Sequence, residues 1–152
     1  MATDTTAQPD ADSPAAKRRA EVAAELANKT MYELLGSEDG IKAIVDSFYD
    51  VMDRDEEFAL IRDMHKADLS PMRVSLFEFL SGWLGGPPLF IERNGSPCLT
   101  GAHAPYNVDE QAGELWVSCM NRALAEAEVE EKYRDLLAPA FERMADMVRN
   151  DG

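Results

Sequence analysis

Large apolar residues recur every three or four positions through most of the chain from Met31 onward, the spacing that places them on one face of a helix. The first such stripe follows Ser37, whose hydroxyl suits a helix N-cap, and two acidic residues that suit the positive end of a helix. Its members are Ile41, Ile44, Val45, Phe48 and Met52. The pattern predicts a long helix that begins near Ser37.

A second apolar stripe follows Ser70 and Pro71, where a hydroxyl cap precedes proline at the first helical position. Its apolar members are Leu69, Met72, Leu76, Phe79, Leu80 and Trp83. The run Gly85-Gly86-Pro87-Pro88 ends it, because glycine and proline stop a helix. Between the two stripes, residues 55–64 predict short helical turns.

The segment from Pro87 to Tyr106 has a different pattern. Pro97, Gly101 and Pro105 exclude a long helix there, although the apolar residues around them still favour burial. A loop of about 20 residues inside a compact domain is uncommon and is usually functional. We therefore expect this segment to carry functional residues.

Two further helices are predicted in the last third of the chain. Asn107, with Glu110 three residues later, matches a capping box that opens the first of them. Its inward residues are Leu115, Trp116, Cys119, Met120 and Ala123. The second runs from about Val129 to Val148 and has an apolar stripe on one face. No segment sustains the alternation typical of strands, so the predicted fold class is all-α.

The first 30 residues differ from the rest. Residues 1–14 contain polar residues, alanine and two prolines, which predicts a disordered tail. From Ala15 to Lys29 the helix formers are strong, but the large apolar anchors are Val22 and Leu26, which predicts a short surface helix. A length of 152 residues indicates one domain. We therefore divide the chain into an N-terminal extension, residues 1–30, and a domain of residues 31–150.

Fifteen Lys and Arg residues against 29 Asp and Glu residues give a formal net charge of −14. A field of that sign repels phosphate backbones and anionic lipids, which argues against nucleic-acid or membrane binding. The chain has no apolar run of about 18 residues, and its N-terminus has no apolar export signal. Cys98 and Cys119 lack CxxC spacing. The expected location is the cytoplasm, with both thiols reduced.

Four residues are candidates for chemistry. His65 and His103 lie between predicted helices, and a lone histidine there is usually solvated or hydrogen bonded. His103 nevertheless stands in GAHAPY, where glycine and proline hold the backbone out of a helix, and this suits ligation of a metal from one side. Tyr49 and Trp116 place hydrogen-bond donors on faces that otherwise predict core. A hydrogen bond to a backbone carbonyl would be enough to explain each of these donors taken alone. The combination of His103, Tyr49 and Trp116 in one chain is more informative about function.

From Met31 to about Asn150 the chain resembles the truncated haemoglobins, specifically group II. The resemblance rests on Met31–Gly36 (MYELLG), Phe48-Tyr49, Phe79–Phe90 (FLSGWLGGPPLF), His103–Tyr106 (HAPY), Trp116 and Ser118–Met120 (SCM). The order and spacing of these groups are fairly specific, whereas the Gly-Gly-Pro sequence alone would be weak. Residues 1–30 lie outside the resemblance.

The resemblance implies a two-over-two helical sandwich that holds haem b, iron protoporphyrin IX, with a mostly non-helical loop on the proximal side. It implies that His103 is the proximal iron ligand, with its second ring nitrogen held by an acceptor. On the distal side it implies that Tyr49, Trp116 and His65 stabilise the bound gas. Dioxygen bound there carries partial negative charge, which a phenol O–H and an indole N–H stabilise by donation.

The resemblance also implies which side chains form the wall of the haem pocket. They are Met72, Leu76, Phe79, Leu80, Phe90, Leu99 and Tyr106. Relatives carry arginines shortly before the proximal histidine, but no Arg or Lys lies between Asn94 and His103 in this chain. Either haem binds more weakly as a result, or Arg93 or Lys66 compensates as a partner for the haem propionates, and these alternatives stay open.

The implied function is a haem protein that binds O2, NO, CO or similar diatomic ligands. Oxygen binding or transport, NO detoxification and peroxide chemistry all fit it, with an unidentified reductase as electron donor. Catalytic turnover and the oligomeric state stay open. One alternative is a haem-free, acidic helical protein-interaction module, which the missing arginines favour. Another is a redox sensor in which Tyr49 or His65 ligates the iron when no gas is bound.

Overall fold

The computed structural model describes residues 13–95 and 108–149, which are mostly helical. The helices are α1 (Pro14–Leu26), α2 (Met31–Leu34), α3 (Ser37–Arg54), α4 (Ala59–Asp63), α5 (Ser70–Trp83), α6 (Leu89–Asn94), α7 (Glu110–Glu126) and α8 (Glu131–Val148), with a 3-10 turn at Glu56–Phe58. Within these two ranges there is no strand, so the predicted all-α class is confirmed. None of the helices described is long and apolar enough to cross a membrane.

Two pairs of long helices form the body of the fold. α3 packs against α5, α7 packs against α8, and α3 also contacts α7 between the pairs. This is the two-over-two arrangement that the resemblance implies. Phe48, Phe58 and Phe141 are the largest side chains that this packing buries completely. Their removal from water is the main favourable contribution to folding.

Helix α1 adds to this body. It contacts α8, and its Val22 side chain is only 1% exposed within the core. The Tyr133 hydroxyl donates to the Glu25 carboxylate at 2.6 Å, and the Lys132 ammonium pairs with that carboxylate at 2.7 Å. Exposed ion pairs contribute little to stability, so the buried valine is the main anchor. The predicted surface helix is present, and one face of it extends the core.

Two helix starts differ from the predicted ones. Ser70 is the first residue of α5 rather than its cap, and its backbone N–H donates to the Asp68 carboxylate at 3.0 Å. Asp109 caps α7 by accepting from the Ala112 N–H at 2.8 Å, so the predicted cap at Asn107 is wrong. In both places a nearby carboxylate accepts the hydrogen bond, and bonds to an ionised acceptor are stronger than neutral ones.

The other helix ends are close to their predicted positions. α3 begins at Ser37, but no side chain caps it, and Gly36 precedes it in the left-handed conformation with φ 105°. α8 begins at Glu131, slightly later than the predicted start at Val129. The exact first residue of a helix depends on the backbone geometry of one or two residues, and the spacing of apolar residues does not determine that geometry.

The Gly85-Gly86 turn ends α5 close to α2. Gly85 has a φ of 92°, a conformation that favours glycine. A Cβ atom on Gly86 would lie 2.5 Å from the Tyr32 ring. The Tyr32 backbone N–H donates to the Leu84 carbonyl at 2.9 Å, which holds the turn against α2. Packing therefore requires the glycine pair, in addition to its role in stopping the helix.

The segment predicted to lack a long helix begins with a short one. α6 spans Leu89–Asn94 and ends at Gly95, whose φ of 74° is left-handed. Residues 96–107 lie outside the described residues, and His103 is among them. The predicted non-helical loop around His103 therefore stays a prediction.

We expect the substitution Gly86→Ala to destabilise the fold. The added methyl group would collide with the Tyr32 ring, and overpacking of this kind costs about 1–3 kcal/mol. Thermal unfolding followed by circular dichroism measures the change. Gly113→Ala is the matched control, because its Cβ would lie 3.8 Å from Ala145, and it should be neutral or stabilising by about 0.5–1 kcal/mol. Equal effects of the two substitutions would contradict the assigned contact.

Candidate functional site

Tyr49 lies on α3 and is only 3% exposed. Burial raises the pKa of its phenol, so the hydroxyl keeps its proton at neutral pH and remains a donor. Among the described residues, this hydroxyl has no hydrogen-bond acceptor. Its ring has Phe48 edge-on at 5.0 Å and His65 edge-on at 5.9 Å between centroids. Tyr49 is thus a buried donor inside a cluster of rings.

His65 follows α4 and is half-buried. Its Nδ1 atom lies 2.7 Å from the Ile61 carbonyl oxygen. Because a carbonyl only accepts, Nδ1 carries a proton in this contact. This contact holds the imidazole edge against Tyr49. The predicted distal pair of Tyr49 and His65 is therefore brought together by α3 and the residue after α4.

Trp116 lies on α7 and is half-buried. Its ring centroid is 5.4 Å from that of Phe48 and 5.7 Å from that of Phe141. In the part of the chain that the structure describes, its indole N–H has no hydrogen-bond acceptor. Phe48 contacts both Tyr49 and Trp116, so the packing of α3 on α7 places the rings of both predicted donors against the same Phe48 ring.

The ring contacts continue from Trp116 along α8, α5 and α6. Phe141 lies 5.0 Å from Trp83, Trp83 lies 6.4 Å from Phe79, and Phe79 lies 5.9 Å from Phe90. We call the eight rings from His65 to Phe90 the aromatic belt. It consists of His65, Tyr49, Phe48, Trp116, Phe141, Trp83, Phe79 and Phe90. Trp83 and Phe141 were not predicted as pocket residues, although each lies on the same helical stripe as predicted core residues.

The predicted wall residues on α5 differ in exposure. Met72 is 38% exposed, while Leu76 and Phe79 are half-buried. Trp83, which is not one of the predicted wall residues, is 37% exposed on the same helix. Leu80 is 0% exposed and packs within the protein core. A small cavity of about 170 Å³ lies beside Phe79, Trp83 and Phe90, and its lining is almost wholly apolar. One side of α5 therefore presents an apolar surface that the described residues cover only in part.

This surface fits a large, flat, apolar macrocycle such as haem. Porphyrin rings pack against aromatic and aliphatic side chains, and the belt offers them beside two hydrogen-bond donors that have no acceptor in the described part of the chain. The predicted iron ligand His103 and the predicted wall residues Leu99 and Tyr106 lie outside the described residues. Their roles stay predictions.

A larger cleft between α3, α5 and α6 fits haem less well. Its volume is about 840 Å³, but seven of its lining residues are charged. Those residues are Glu38, Lys42, Asp46, Arg73, Glu78, Glu92 and Arg93. Charged side chains lose hydration when an apolar ring covers them, so the aromatic belt is the better surface for the macrocycle.

The two candidate partners of the haem propionates differ in their surroundings. Arg93 Nη1 pairs with Glu78 Oε1 at 2.6 Å, so its charge is already largely balanced. The other Glu78 oxygen is buried and has no hydrogen-bond partner within the described ranges. Lys66 is exposed. Neither residue is singled out by these contacts, and the choice between them stays open.

Cys119 lies on α7 behind the donor cluster. Its Sγ is 3.4 Å from the Phe48 carbonyl oxygen, to which the thiol donates weakly. Burial raises the pKa of this thiol to about 12. Cys119 therefore serves as a small packing residue between α7 and α3, and its sulfur stays protonated.

Comparison with known proteins gives consistent matches. A model of the family described as bacterial-like globin matches residues 30–150. A group 2 truncated hemoglobin of Bacillus subtilis is 32% identical over 114 residues, which cover 75% of this chain and 83% of that protein.

Solved structures agree with this match. The cold-adapted truncated hemoglobin of the Antarctic marine bacterium Pseudoalteromonas haloplanktis has a TM-score of 0.78 and 40% identity, covering 82% of this chain and 100% of that chain. The group II 2-on-2 hemoglobin of the plant pathogen Agrobacterium tumefaciens has a TM-score of 0.77 and 32% identity, covering 81% of this chain and 95% of that chain.

We expect Cys119 to resist alkylation in the folded protein. Its thiolate is the reactive form, and a pKa of about 12 leaves little of it at pH 8. In a Cys98→Ser variant, modification by iodoacetamide should be slow at pH 8 and should accelerate about tenfold per pH unit below the pKa. Mass spectrometry measures the rate, with guanidinium-unfolded protein as the reactive control. Rapid modification of the folded protein at pH 8 would contradict the burial of this thiol.

Proposed function

We propose that Tyr49, Trp116 and His103 form the ligand-binding centre of this chain, which belongs to the bacterial-like globin family. The chain binds haem b and diatomic ligands such as O2. In this proposal His103 would hold the iron. Tyr49 and Trp116 would donate hydrogen bonds to the bound ligand. His65 supports the position of the Tyr49 ring.

The observation that carries the proposal is the pair of donors beside Phe48. The Tyr49 hydroxyl and the Trp116 indole N–H lack acceptors among the described residues. Among the described residues, the fully buried polar atoms without a hydrogen-bond partner are Glu25 Oε1 and Glu78 Oε2, so neither donor carries the free-energy penalty of a buried, unpaired group. Each donor instead keeps an O–H or N–H from which a polar ligand can accept a hydrogen bond.

When bound, haem would supply the chemistry of reversible diatomic-ligand binding at an imidazole-ligated iron. His103 is proposed for that imidazole on the resemblance, and its second ring nitrogen would donate to an acceptor that fixes the ring orientation. The protein supplies the surroundings of the bound ligand. The aromatic belt excludes water, and hydrogen bonds from Tyr49 and Trp116 are stronger in such a dry pocket than in water.

The proposed pocket wall combines predicted residues with two that the structure adds. The predicted ones are Met72, Leu76, Phe79, Leu80, Phe90, Leu99 and Tyr106. The additions are Trp83 and Phe141, because their rings connect Phe79 to Trp116. We propose that α5 supplies the distal surface of the wall and that α6 supplies one edge.

NO and CO are proposed as further ligands, since both bind ferrous haem, and a reductase is proposed as the electron donor that keeps the iron ferrous. The proposed location is the cytoplasm, where thiols stay reduced. Family membership favours this haem protein over a haem-free interaction module. We also propose an alternative resting state, in which Tyr49 or His65 ligates the iron when no gas is bound.

We expect the haem-loaded protein to lose its proximal ligand when His103 is replaced. The ferrous CO complex of His103→Gly should lose the absorption spectrum typical of imidazole ligation, and added imidazole should restore it. His65→Leu is the control and should keep that spectrum. The ferric spectra of the same variants test the resting state, because a low-spin spectrum abolished by His65→Leu would indicate a sixth ligand. A His103→Gly spectrum identical to that of the parent protein would remove His103 from the proposal.

We expect Trp116→Phe and Tyr49→Phe each to speed O2 dissociation by about tenfold, which corresponds to the loss of about 1.4 kcal/mol. Each substitution keeps the ring and deletes the donor. CO dissociation should change less, because bound CO carries less negative charge than bound O2. Stopped-flow ligand replacement measures both rates. Equal acceleration for the two gases would mean that the side chain acts by its bulk and does not donate.

A further inference from the structure

Arg73 follows Met72 on α5 and reaches across to α3. Its Nη1 donates to the Asp46 carboxylate at 3.0 Å and to the Asp46 carbonyl at 3.2 Å. Its Nη2 donates to the Asp50 carboxylate at 2.8 Å. Two carboxylates one helical turn apart on α3 therefore hold the guanidinium in one place.

That place is beside the Tyr49 ring. The Cζ atom of Arg73 lies 5.7 Å from the ring centroid, within the range of a cation–π contact. Tyr49 lies between Asp46 and Asp50 in the sequence, so the two carboxylates that bind Arg73 also flank the residue that it contacts. The Tyr49 ring is thus contacted by Phe48 on α3, by His65 after α4 and by Arg73 on α5.

The charge of Arg73 acts on the phenol as well as on the ring. Burial has the largest effect on the pKa of Tyr49 and raises it, the positive field of Arg73 partly opposes that rise, and the nearby Cys119 adds to it. Guanidinium stays protonated at any pH at which the protein is folded, so this field is permanent. A phenol near a fixed cation is a stronger hydrogen-bond donor than the same phenol in a purely apolar pocket.

We propose that Arg73 is a positioning residue for Tyr49, which it holds and polarises through the cation–π contact while Asp46 and Asp50 fix the guanidinium. The inference rests on the proposed donor role of Tyr49. Arg73 does not touch the ligand in this arrangement, and its effect reaches the ligand through the phenol.

A partly exposed ion pair alone would not position or polarise the Tyr49 ring. Such pairs contribute little to stability, and many can be removed without measurable loss. Arg54 shows the contrast, because it pairs with Asp55 at 3.0 Å and with Glu126 at 2.7 Å on the surface of the protein, away from Tyr49. Arg54→Met therefore removes a similar set of ion pairs without removing the contact with the Tyr49 ring.

The test uses the ferrous CO complex of the haem-loaded protein, with 3-fluorotyrosine incorporated. The C–O stretching frequency reports the donor strength at the ligand, and the ¹⁹F signal of residue 49, assigned with Tyr49→Phe, reports the ring environment. Arg73→Met should move the ¹⁹F signal and should raise the C–O frequency by at least half of the rise caused by Tyr49→Phe. Arg54→Met should change neither. Arg73→Lys should cause a smaller frequency shift than Arg73→Met, because lysine retains the positive charge but lacks the planar guanidinium that bonds both carboxylates.

The double variant separates the inference from a general effect on the fold. In the Tyr49→Phe background, Arg73→Met should produce no further frequency shift. An equal shift in both backgrounds, or no shift from Arg73→Met when Tyr49→Phe does shift the band, would overturn the role of Arg73 alone. If Tyr49→Phe leaves the band unmoved, the donor role of Tyr49 is wrong and the inference fails with it.

Discussion

The contact between α3 and α7 at Phe48 is the constraint on which the site depends. Phe48 is completely buried, contacts Tyr49 and Trp116, and accepts a weak hydrogen bond from Cys119 through its backbone carbonyl. A shift of one residue along α3 would rotate Tyr49 by about 100° and remove its hydroxyl from the site. Apolar packing that resembles ordinary core therefore sets the geometry of both polar donors.

Helix α5 depends on contacts at both of its ends. Asp68 accepts from its first N–H, and the turn at Gly86 packs against Tyr32. Arg73, in the first turn of the helix, joins α5 to α3. With these positions fixed, the apolar side of α5 can remain partly uncovered without collapsing onto the core. A helix with such a surface suits a bound macrocycle, which would complete the packing that the described residues leave open.

The sequence predicts most of the helices, because their apolar stripes are long and regular. It does not identify Asp68 or Asp109 as caps, since either of two neighbouring polar residues satisfies the same pattern. Trp83 and Phe141 are also missed as pocket residues. Each belongs to a stripe that predicts core, and only the tertiary structure places the Trp83 ring of α5 5.0 Å from the Phe141 ring of α8. The motif residues Tyr49 and Trp116 are predictable because their polar atoms conflict with their apolar surroundings.

The donors at the site are neutral, although the protein carries a formal net charge of −14. Burial keeps the Tyr49 phenol protonated, and an indole does not ionise in this range, so neither donor loses its proton as the pH varies around neutrality. A cationic donor inside the pocket would carry a desolvation penalty of several kcal/mol. Arg73 avoids that penalty by remaining partly exposed between two carboxylates, while its field still reaches the phenol. In the proposed site, this arrangement would deliver positive potential to the ligand without burying a charge beside it.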